Sequence, residues 1–286
     1  MITVQSPKAV HQETLKWKHE GKVSLVPTMG CLHEGHLSLV RMAKRLSSKC
    51  IVSIFVNPLQ FGPNEDFAKY PRTLEADLEK LSKEEVDLVF VPQLDDLYPK
   101  GFATRVAVTG LADSLCGKSR PGHFSGVTTV CLKLFESTGA DLAVFGEKDF
   151  QQLRIIQRMT EDLNLPITIV PHPIVREADG LAMSSRNRYL SEQEREWAHK
   201  IPESLSHAEE MVRCHPTNTV GEVKRKVTSA LGSVPLVIDY IEIVAESDLI
   251  PAAESQPLRN IENPRLFVAV KAGTTRLIDN RYLGGF

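Results

Sequence analysis

Residues 23–36 read Val23-Ser24-Leu25-Val26-Pro27-Thr28-Met29-Gly30-Cys31-Leu32-His33-Glu34-Gly35-His36. The apolar run 23–26 has the character of a buried strand. It is expected to stop at Pro27, turn through a Gly-containing loop and enter a helix near Gly35. A helix N-terminus offers free N–H groups and a partial positive charge, so it attracts phosphate. His33 and His36 stand at that mouth, where imidazoles can hydrogen-bond a phosphoryl group undergoing substitution. Two plainer readings compete. His-Glu-Gly-His is one residue shorter than the zinc-protease pattern, yet histidines three apart could still share a metal on a helix face. Against that, Gly35 lies between them and no Cys or carboxylate cluster adjoins them. The turn could also be purely structural.

Outward from this stretch the first half alternates strand and helix. Apolar residues at Leu37, Leu39, Val40, Met42, Ala43 and Leu46 form a helical stripe. Ile51–Val56 reads as a parallel strand buried on both faces, and Thr73–Leu81 as an amphipathic helix with Thr73 as N-cap. Leu88–Val91 is the next strand. After Thr104–Val108 come a helix over Val127–Phe135, a strand over Leu142–Phe145, a helix from about Asp149 to Asp162 and a strand over Ile167–Val170. This order predicts an α/β fold, a Rossmann-like, mostly parallel sheet with helices on both faces and ligands beyond the carboxyl ends of the strands. Past about residue 180 the pattern changes. Ser191 and Glu194 form a capping box, Pro202 is expected to kink or divide the helix that follows, and Thr219–Leu231 is a second helix. Strands over Val237–Val244, Leu266–Lys271 and Thr275–Ile278 include a hairpin around Gly273. Two domains are expected, 1–180 and a smaller α+β domain, 181–286.

Composition sets the function classes aside one by one. The 286 residues hold 34 basic and 36 acidic side chains, a net charge of -2, with no basic stripe to suggest nucleic acid. No apolar stretch approaches a membrane span, and the N-terminus does not read as a signal peptide. Five cysteines, odd in number and without Cys-x-x-Cys spacing, fit reduced thiols in a cytoplasm better than a disulfide framework.

The residues that follow the strands carry the chemistry. Asn57-Pro58-Leu59-Gln60-Phe61-Gly62-Pro63 is a shaped loop whose amides, Asn57 and Gln60, can read oxygen groups or merely cap the loop. Arg120-Pro-Gly-His-Phe-Ser-Gly is a second such loop. There Ser125 could be only an N-cap and His123 only a surface residue. Gly146-Glu147-Lys148-Asp149 opens a helix. A cation such as Lys148 is unfavourable at a helix start unless an anion joins it. Asp149 could be an N-cap or could serve metal or ribose binding, and Gln152 faces the same end of the sheet. Met183-Ser184-Ser185-Arg186 offers two hydroxyls and a guanidinium to a triphosphate, a weak signal by itself.

Taken together, Pro-Thr-Met-Gly-Cys-Leu-His-Glu-Gly-His, Phe-Val-Asn-Pro-Leu-Gln-Phe, Arg-Pro-Gly-His-Phe-Ser-Gly-Val, Phe-Gly-Glu-Lys-Asp-Phe-Gln-Gln-Leu and Arg-Glu-Ala-Asp-Gly-Leu-Ala-Met-Ser-Ser-Arg-Asn resemble the pantothenate synthetase (pantoate–β-alanine ligase) family. The blocks are collinear over about residues 23–190. The C-terminal third matches in general layout only. The family belongs to the nucleotidyltransferase superfamily shared with class I aminoacyl-tRNA synthetases. In it His33–His36 resembles the His-Ile-Gly-His signature, and Met183–Arg186 takes the place of the Lys-Met-Ser-Lys-Ser loop.

The resemblance implies a two-step ligase. Pantoate attacks the α-phosphate of Mg-ATP to give pantoyl adenylate and pyrophosphate, and β-alanine then displaces AMP to form pantothenate. It implies catalytic roles for His36, the family's proton donor, for His33 beside it and for Lys148. The implied ATP set is Met29, Gly30, Cys31, Leu32, His33, Glu34, Gly35, His36, Gly146, Glu147, Lys148, Asp149, Val175, Met183, Ser184, Ser185 and Arg186. Gln60 and Gln152 would hold pantoate and β-alanine, with Asn57 nearby. Mg2+ would come on the ATP phosphates rather than on protein side chains. A cytoplasmic homodimer with a C-terminal lid is expected, with neither a nucleic-acid nor a membrane partner. One departure is Cys116, where many members carry an acidic residue. The rival readings are another adenylyl- or cytidylyltransferase of this superfamily and a non-catalytic nucleotide-binding module.

Overall fold

The computed structural model describes residues 1–63 and 65–284. In chain order its elements are β1 (Ile2–Val4), α1 (Pro7–Trp17), β2 (Val23–Thr28), α2 (Glu34–Leu46), β3 (Lys49–Ile54), α3 (Leu74–Lys83), β4 (Leu88–Phe90), α4 (Leu94–Leu97), α5 (Leu115–Ser119), α6 (His123–Thr138), β5 (Leu142–Gly146), α7 (Phe150–Asp162), β6 (Thr168–His172), α8 (Glu192–Ala198), α9 (Lys200–Cys214), α10 (Val220–Leu231), β7 (Leu236–Ala245), β8 (Pro264–Ala272) and β9 (Thr275–Tyr282). Short 3-10 turns cover Pro58–Gln60, Asp66–Lys69, Glu147–Asp149, Ser185–Tyr189 and Leu258–Asn260. The chain packs as two units. One comprises Met1–Val108, Arg120–Glu147 and Gln152–Pro173; the other comprises Thr109–Ser119, Lys148–Gln151 and Ile174–Phe286.

The first unit is built on a six-stranded sheet, order β1-β4-β3-β2-β5-β6, parallel throughout. Its four inner strands, β2 to β5, are largely apolar and buried on both faces, as a sheet covered on both sides requires. Val26, Val52, Val89 and Val144 pack with Val40 and Ala43 of α2 and Leu81 of α3. Elsewhere α1 packs against α6, and α6 against β2. The expected α/β architecture is therefore present, with three differences. β2 continues through Pro27 to Thr28, because its ladder with β5 ends at Leu25 while Pro27 and Thr28 stay in register with Ser53 and Ile54 of β3. Beyond Leu25 only one flank needs pairing, so a residue without an N–H is tolerated. The second difference is the pair β1 and α1, which the hydrophobic pattern left unread. Ser6 caps α1, accepting the Ala9 N–H at 3.1 Å, and Pro7 occupies its first turn. Third, α6 outruns the expected helix over 127–135, extending from His123 to Thr138.

The second unit joins the antiparallel sheet β7-β8-β9 to α8, α9 and α10. Its core gathers Ile201, Leu205 and Val212 of α9, Val223 and Val227 of α10, and Ile243, Leu266, Val268 and Val270 of the sheet. Thr219–Glu222 and Ser191–Glu194 are capping boxes. The helix expected to break near Pro202 divides at His199, which leaves Pro202 in the first turn of α9, where a missing N–H costs nothing. Gly273, at φ +56°, turns the β8–β9 hairpin. No helix among the described residues is long and apolar enough to cross a membrane.

Candidate active site

In the first unit, the loop from β2 to α2 is held against its own strain. Gly30 (φ +81°) and Cys31 (φ +52°) are consecutive left-handed residues, and Cys31 bears a side chain there. Thr28 Oγ1 accepts the Gly30 N–H at 3.2 Å and donates to the Ser53 carbonyl at 2.8 Å. The larger constraint is Asp77 of α3, which is 0% exposed. Its two carboxylate oxygens accept the Cys31 and Leu32 N–H groups, each at 2.8 Å, and one also accepts the Thr73 hydroxyl at 3.1 Å. Lys80, one turn on, donates to the Leu32 carbonyl at 2.6 Å. Asp77 was not among the residues expected to matter. Its signal was available, since it shares the buried stripe with Leu74, Leu78 and Leu81, and a carboxylate on an apolar stripe needs buried donors.

The loop delivers His33 as N-cap of α2 and His36 in its first turn, with ring centroids 4.0 Å apart. His36 Nδ1 accepts the His33 N–H at 3.4 Å. That bond places the ring proton on Nε2, the nitrogen directed away from the backbone. Glu34 is ion-paired with Arg41, which also forks Glu84 at 3.0 and 3.1 Å. The helix start is thereby braced to α3.

The Asn57–Gln60 loop belongs to the same unit. Asn57 is 1% exposed and its amide is occupied internally. Nδ2 donates to Gln60 Oε1 at 3.1 Å and to the Gly126 carbonyl at 3.0 Å; Oδ1 accepts the Leu59 N–H at 3.3 Å and the Tyr98 hydroxyl at 2.9 Å. Asn57 thus holds the loop and orients Gln60. Gln60 Nε2 in turn approaches Met29 Sδ at 3.2 Å, which joins the two expected binding segments directly. Gly126 of α6 is required where it stands, since a Cβ there would lie 2.2 Å from the Leu59 carbonyl oxygen. His123 Nδ1 donates to the Gln60 carbonyl at 2.8 Å, while its Nε2 accepts from Arg120 at 3.0 Å. Arg120 also forks Glu65, both bonds at 2.6 Å. Burial alone would raise the Glu65 carboxyl, but the Arg120 hydrogen bonds and charge outweigh it and hold the group below its ordinary range. Gln152, on α7, and Gly146 and Glu147, at the end of β5, complete the expected residues of this unit.

The second unit contains Lys148, Asp149, Val175 and Met183–Arg186. Lys148 Nζ lies 3.8 Å from Asp149 Oδ2, and its carbonyl accepts Asn280 Nδ2 at 3.1 Å. Val175 and Met183 face one another across a small hairpin, Met183 N–H to Val175 carbonyl at 2.9 Å. Ser184 caps the short turn that begins at Ser185, accepting the Arg186 N–H at 3.2 Å. Asn187 fixes the segment through its bond to the Ala182 carbonyl at 3.0 Å. Arg195 braces it further by donating to Asp179 and Glu177, each at 2.7 Å. Cys116 contacts Tyr240 Oη at 3.0 Å and Arg276 at 3.5 Å. Among the described residues no three His, Cys, Asp or Glu side chains gather as a metal set.

A six-stranded parallel sheet with helices, whose β2–α2 turn carries His33 and His36, defines an α/β protein with its candidate site beyond the carboxyl ends of the strands. The family described as Pantoate-beta-alanine ligase matches residues 2–282. The chain is 47% identical to the pantothenate synthetase of Pseudothermotoga lettingae over 99% of both chains. The pantothenate synthetase structure from Thermus thermophilus superposes with a TM-score of 0.92 at 42% identity, covering 100% of both chains. A Francisella tularensis pantoate-beta-alanine ligase, solved with Beta-gamma ATP and Beta-alanine, gives a TM-score of 0.80 at 36% identity over 99% of this chain and 98% of its own. The chain belongs to the pantoate-beta-alanine ligase family.

Proposed function

We propose that the chain condenses pantoate with β-alanine at the expense of ATP, giving pantothenate, AMP and pyrophosphate through pantoyl adenylate. Besides family membership, the observation that carries this reading is the Gln60–Met29 contact, which sets an amide suited to pantoate against the loop suited to ATP. In the first step a pantoate carboxylate oxygen bonds to the α-phosphorus and the bond to pyrophosphate breaks. In the second the β-alanine amine bonds to the acyl carbon and AMP leaves. The Nε2–H of His36 donates to the phosphoryl oxygens as charge gathers there, with His33 beside it. Met29 through His36, together with Gly146, Glu147, Asp149, Val175 and Met183, contact the nucleotide. Lys148, Ser184, Ser185 and Arg186 hold its phosphates. Gln60 and Gln152 hold pantoate and β-alanine, and Asn57 sets the angle of Gln60.

Mg2+ would be carried by the ATP phosphates, as this hard cation commonly is, and would neutralise part of their charge, with Asp149 the carboxylate available in the Lys148 segment. The segment 181–286 serves as a lid that keeps water from the acyl adenylate. A cytoplasmic homodimer completes the reading. The family match over 2–282 supports the ligase rather than an adenylyl- or cytidylyltransferase. The test is formation of pantothenate from ATP, pantoate and β-alanine by the purified chain, with AMP and pyrophosphate in equal amounts. Formation of a dinucleotide or a CDP-linked product, or no reaction with pantoate, would overturn it.

A further inference from the structure

Strand β9 carries two adjacent polar residues into the core of the second unit, Asp279 (2% exposed) and Asn280 (1% exposed). Neighbouring side chains on a strand point to opposite faces, so the two serve different partners. Asp279 accepts a two-pronged bond from Arg176, at 2.7 and 3.0 Å, and the Asn280 N–H at 2.8 Å. The same guanidinium donates to the Gly180 carbonyl at 3.0 Å. Gly180, at φ +87°, is the turn of the hairpin in which Arg176 bridges Ala182 and Val175 meets Met183. One carboxylate therefore fixes the hairpin that leads into Met183–Arg186. On the other face, Asn280 Oδ1 accepts Arg265 Nη1 at 2.6 Å and its Nδ2 donates to the Lys148 carbonyl at 3.1 Å. Arg265 lies 3.7 Å above the Phe150 ring and bonds Glu246 at 2.6 Å, so the Asn280 amide is itself fixed.

Apolar residues would fill two buried strand positions more simply. Polar groups there have to find partners, and here their partners lead to the two segments assigned to the ATP phosphates. We propose that Asp279 and Asn280 are positioning residues for ATP, with Asp279 setting the Val175–Arg186 hairpin through Arg176 and Asn280 setting Lys148 through its carbonyl. A single strand thus registers both phosphate-binding segments against each other. The inference rests on the assignment of Lys148 and Ser184–Arg186 to ATP.

Two shape-conserving variants of the full chain test it. Asn280→Asp keeps the acceptor for Arg265 but turns a carboxylate oxygen toward the Lys148 carbonyl. Asp279→Asn keeps the side-chain shape but loses the charge that binds the Arg176 fork. Each is expected to raise the KM for ATP about tenfold or more, with the KM values for pantoate and β-alanine within about twofold, because only the nucleotide segments lose their support. Arg281→Ala, the next residue on β9, whose bonds go to Glu209 and Ser206, should leave the KM for ATP unchanged. If Asp279→Asn does not fold, Arg176→Lys breaks the same fork from its partly exposed end. Folded variants with an unchanged KM for ATP, or with all three KM values rising together as Tm falls, would reduce the pair to core support and overturn the inference. Lys148→Ala and Arg186→Ala are measured alongside. If they lose ATP affinity while the β9 variants keep it, the inference falls and the ATP assignment stands; if they too keep it, both fall.

Discussion

The role proposed for His36 draws on a backbone hydrogen bond. With Nδ1 accepting the His33 N–H, the proton sits on Nε2 and the ring is ready to donate. His36→Ala should therefore lower single-turnover pyrophosphate release about 100- to 1000-fold, the usual cost of one transition-state donor. Circular dichroism should stay unchanged, and a folded variant with near-normal release would remove His36 from the chemistry. Asp77 acts one step further back. Asp77→Asn replaces one acceptor with an NH2 group facing a loop N–H, and a buried polar group without its partner costs about 1–3 kcal/mol. The melting temperature should drop, with the largest functional loss in ATP binding, measurable by calorimetry; unimpaired ATP binding would show that the loop keeps its form without Asp77. Glu65 supplies a pH signature. Its carboxyl is held below the ordinary value in the folded chain, so its stabilising effect is full above the unfolded pKa, about 4.3, and fades as pH falls through the lowered folded value. The melting temperatures of the parent and Glu65→Gln should differ at pH 7 and converge in acid below that window. A difference that persists there would assign it to packing rather than to the Arg120 pair.

At the scale of elements, α6 and the loop at Pro58–Gln60 define each other. In a helix interior Gly→Ala ordinarily gains about 1 kcal/mol. At Gly126 the new Cβ would lie 2.2 Å from the Leu59 carbonyl oxygen and 2.6 Å from the Gln60 nitrogen, both backbone atoms. Overpacking of that kind costs about 1–3 kcal/mol, so the clash outweighs the propensity and the loop has to shift. Gly126→Ala should lower the melting temperature and raise the KM for pantoate more than that for ATP, since Gln60 moves with the loop. Steady-state kinetics on the three substrates decide it, and an unchanged KM for pantoate would separate Gln60 from that substrate. This element also marks how far the sequence could be read. Long apolar runs announced β2 and β3, and a capping box announced α8, because burial on both faces and reciprocal capping leave local patterns. β1 spans three residues at a sheet edge with Ile2 exposed, too little apolar pattern to register. Asn57 looked like either a ligand amide or a loop cap. Only its bonds to Gly126 and Tyr98, 69 and 41 residues away in the chain, identify it as the brace of Gln60.

At the scale of the whole molecule, chain order and spatial order part company. Phe150 packs on Phe267, and Gln151 bonds the Leu111 and Ser114 carbonyls at 2.9 Å, so short pieces of the first half belong with the C-terminal sheet. No local periodicity encodes such docking. The motif blocks after β2, β3 and β5 were legible because each ends a strand and bears chemistry-specific side chains. The bracing residues Asp77, Arg176, Asp279 and Asn280 were not, because their meaning lies in partners distant in sequence. Under the proposed assignment of Gln60 to pantoate, the order of reaction steps is an expectation from which segments touch. Gln60 meets Met29, a contact that would set pantoate beside the nucleotide loop. The carboxylate can then reach the α-phosphate before any amine is needed, and an oriented pair gains about 7–11 kcal/mol over free encounter. Pyrophosphate release should therefore require ATP and pantoate together, proceed as a single-turnover burst without β-alanine, and precede AMP release when β-alanine is added. Rapid-quench measurement with labelled ATP separates these events. Pyrophosphate formed from ATP alone, or only once β-alanine is present, would rule out the adenylate as the first product and require a concerted displacement instead.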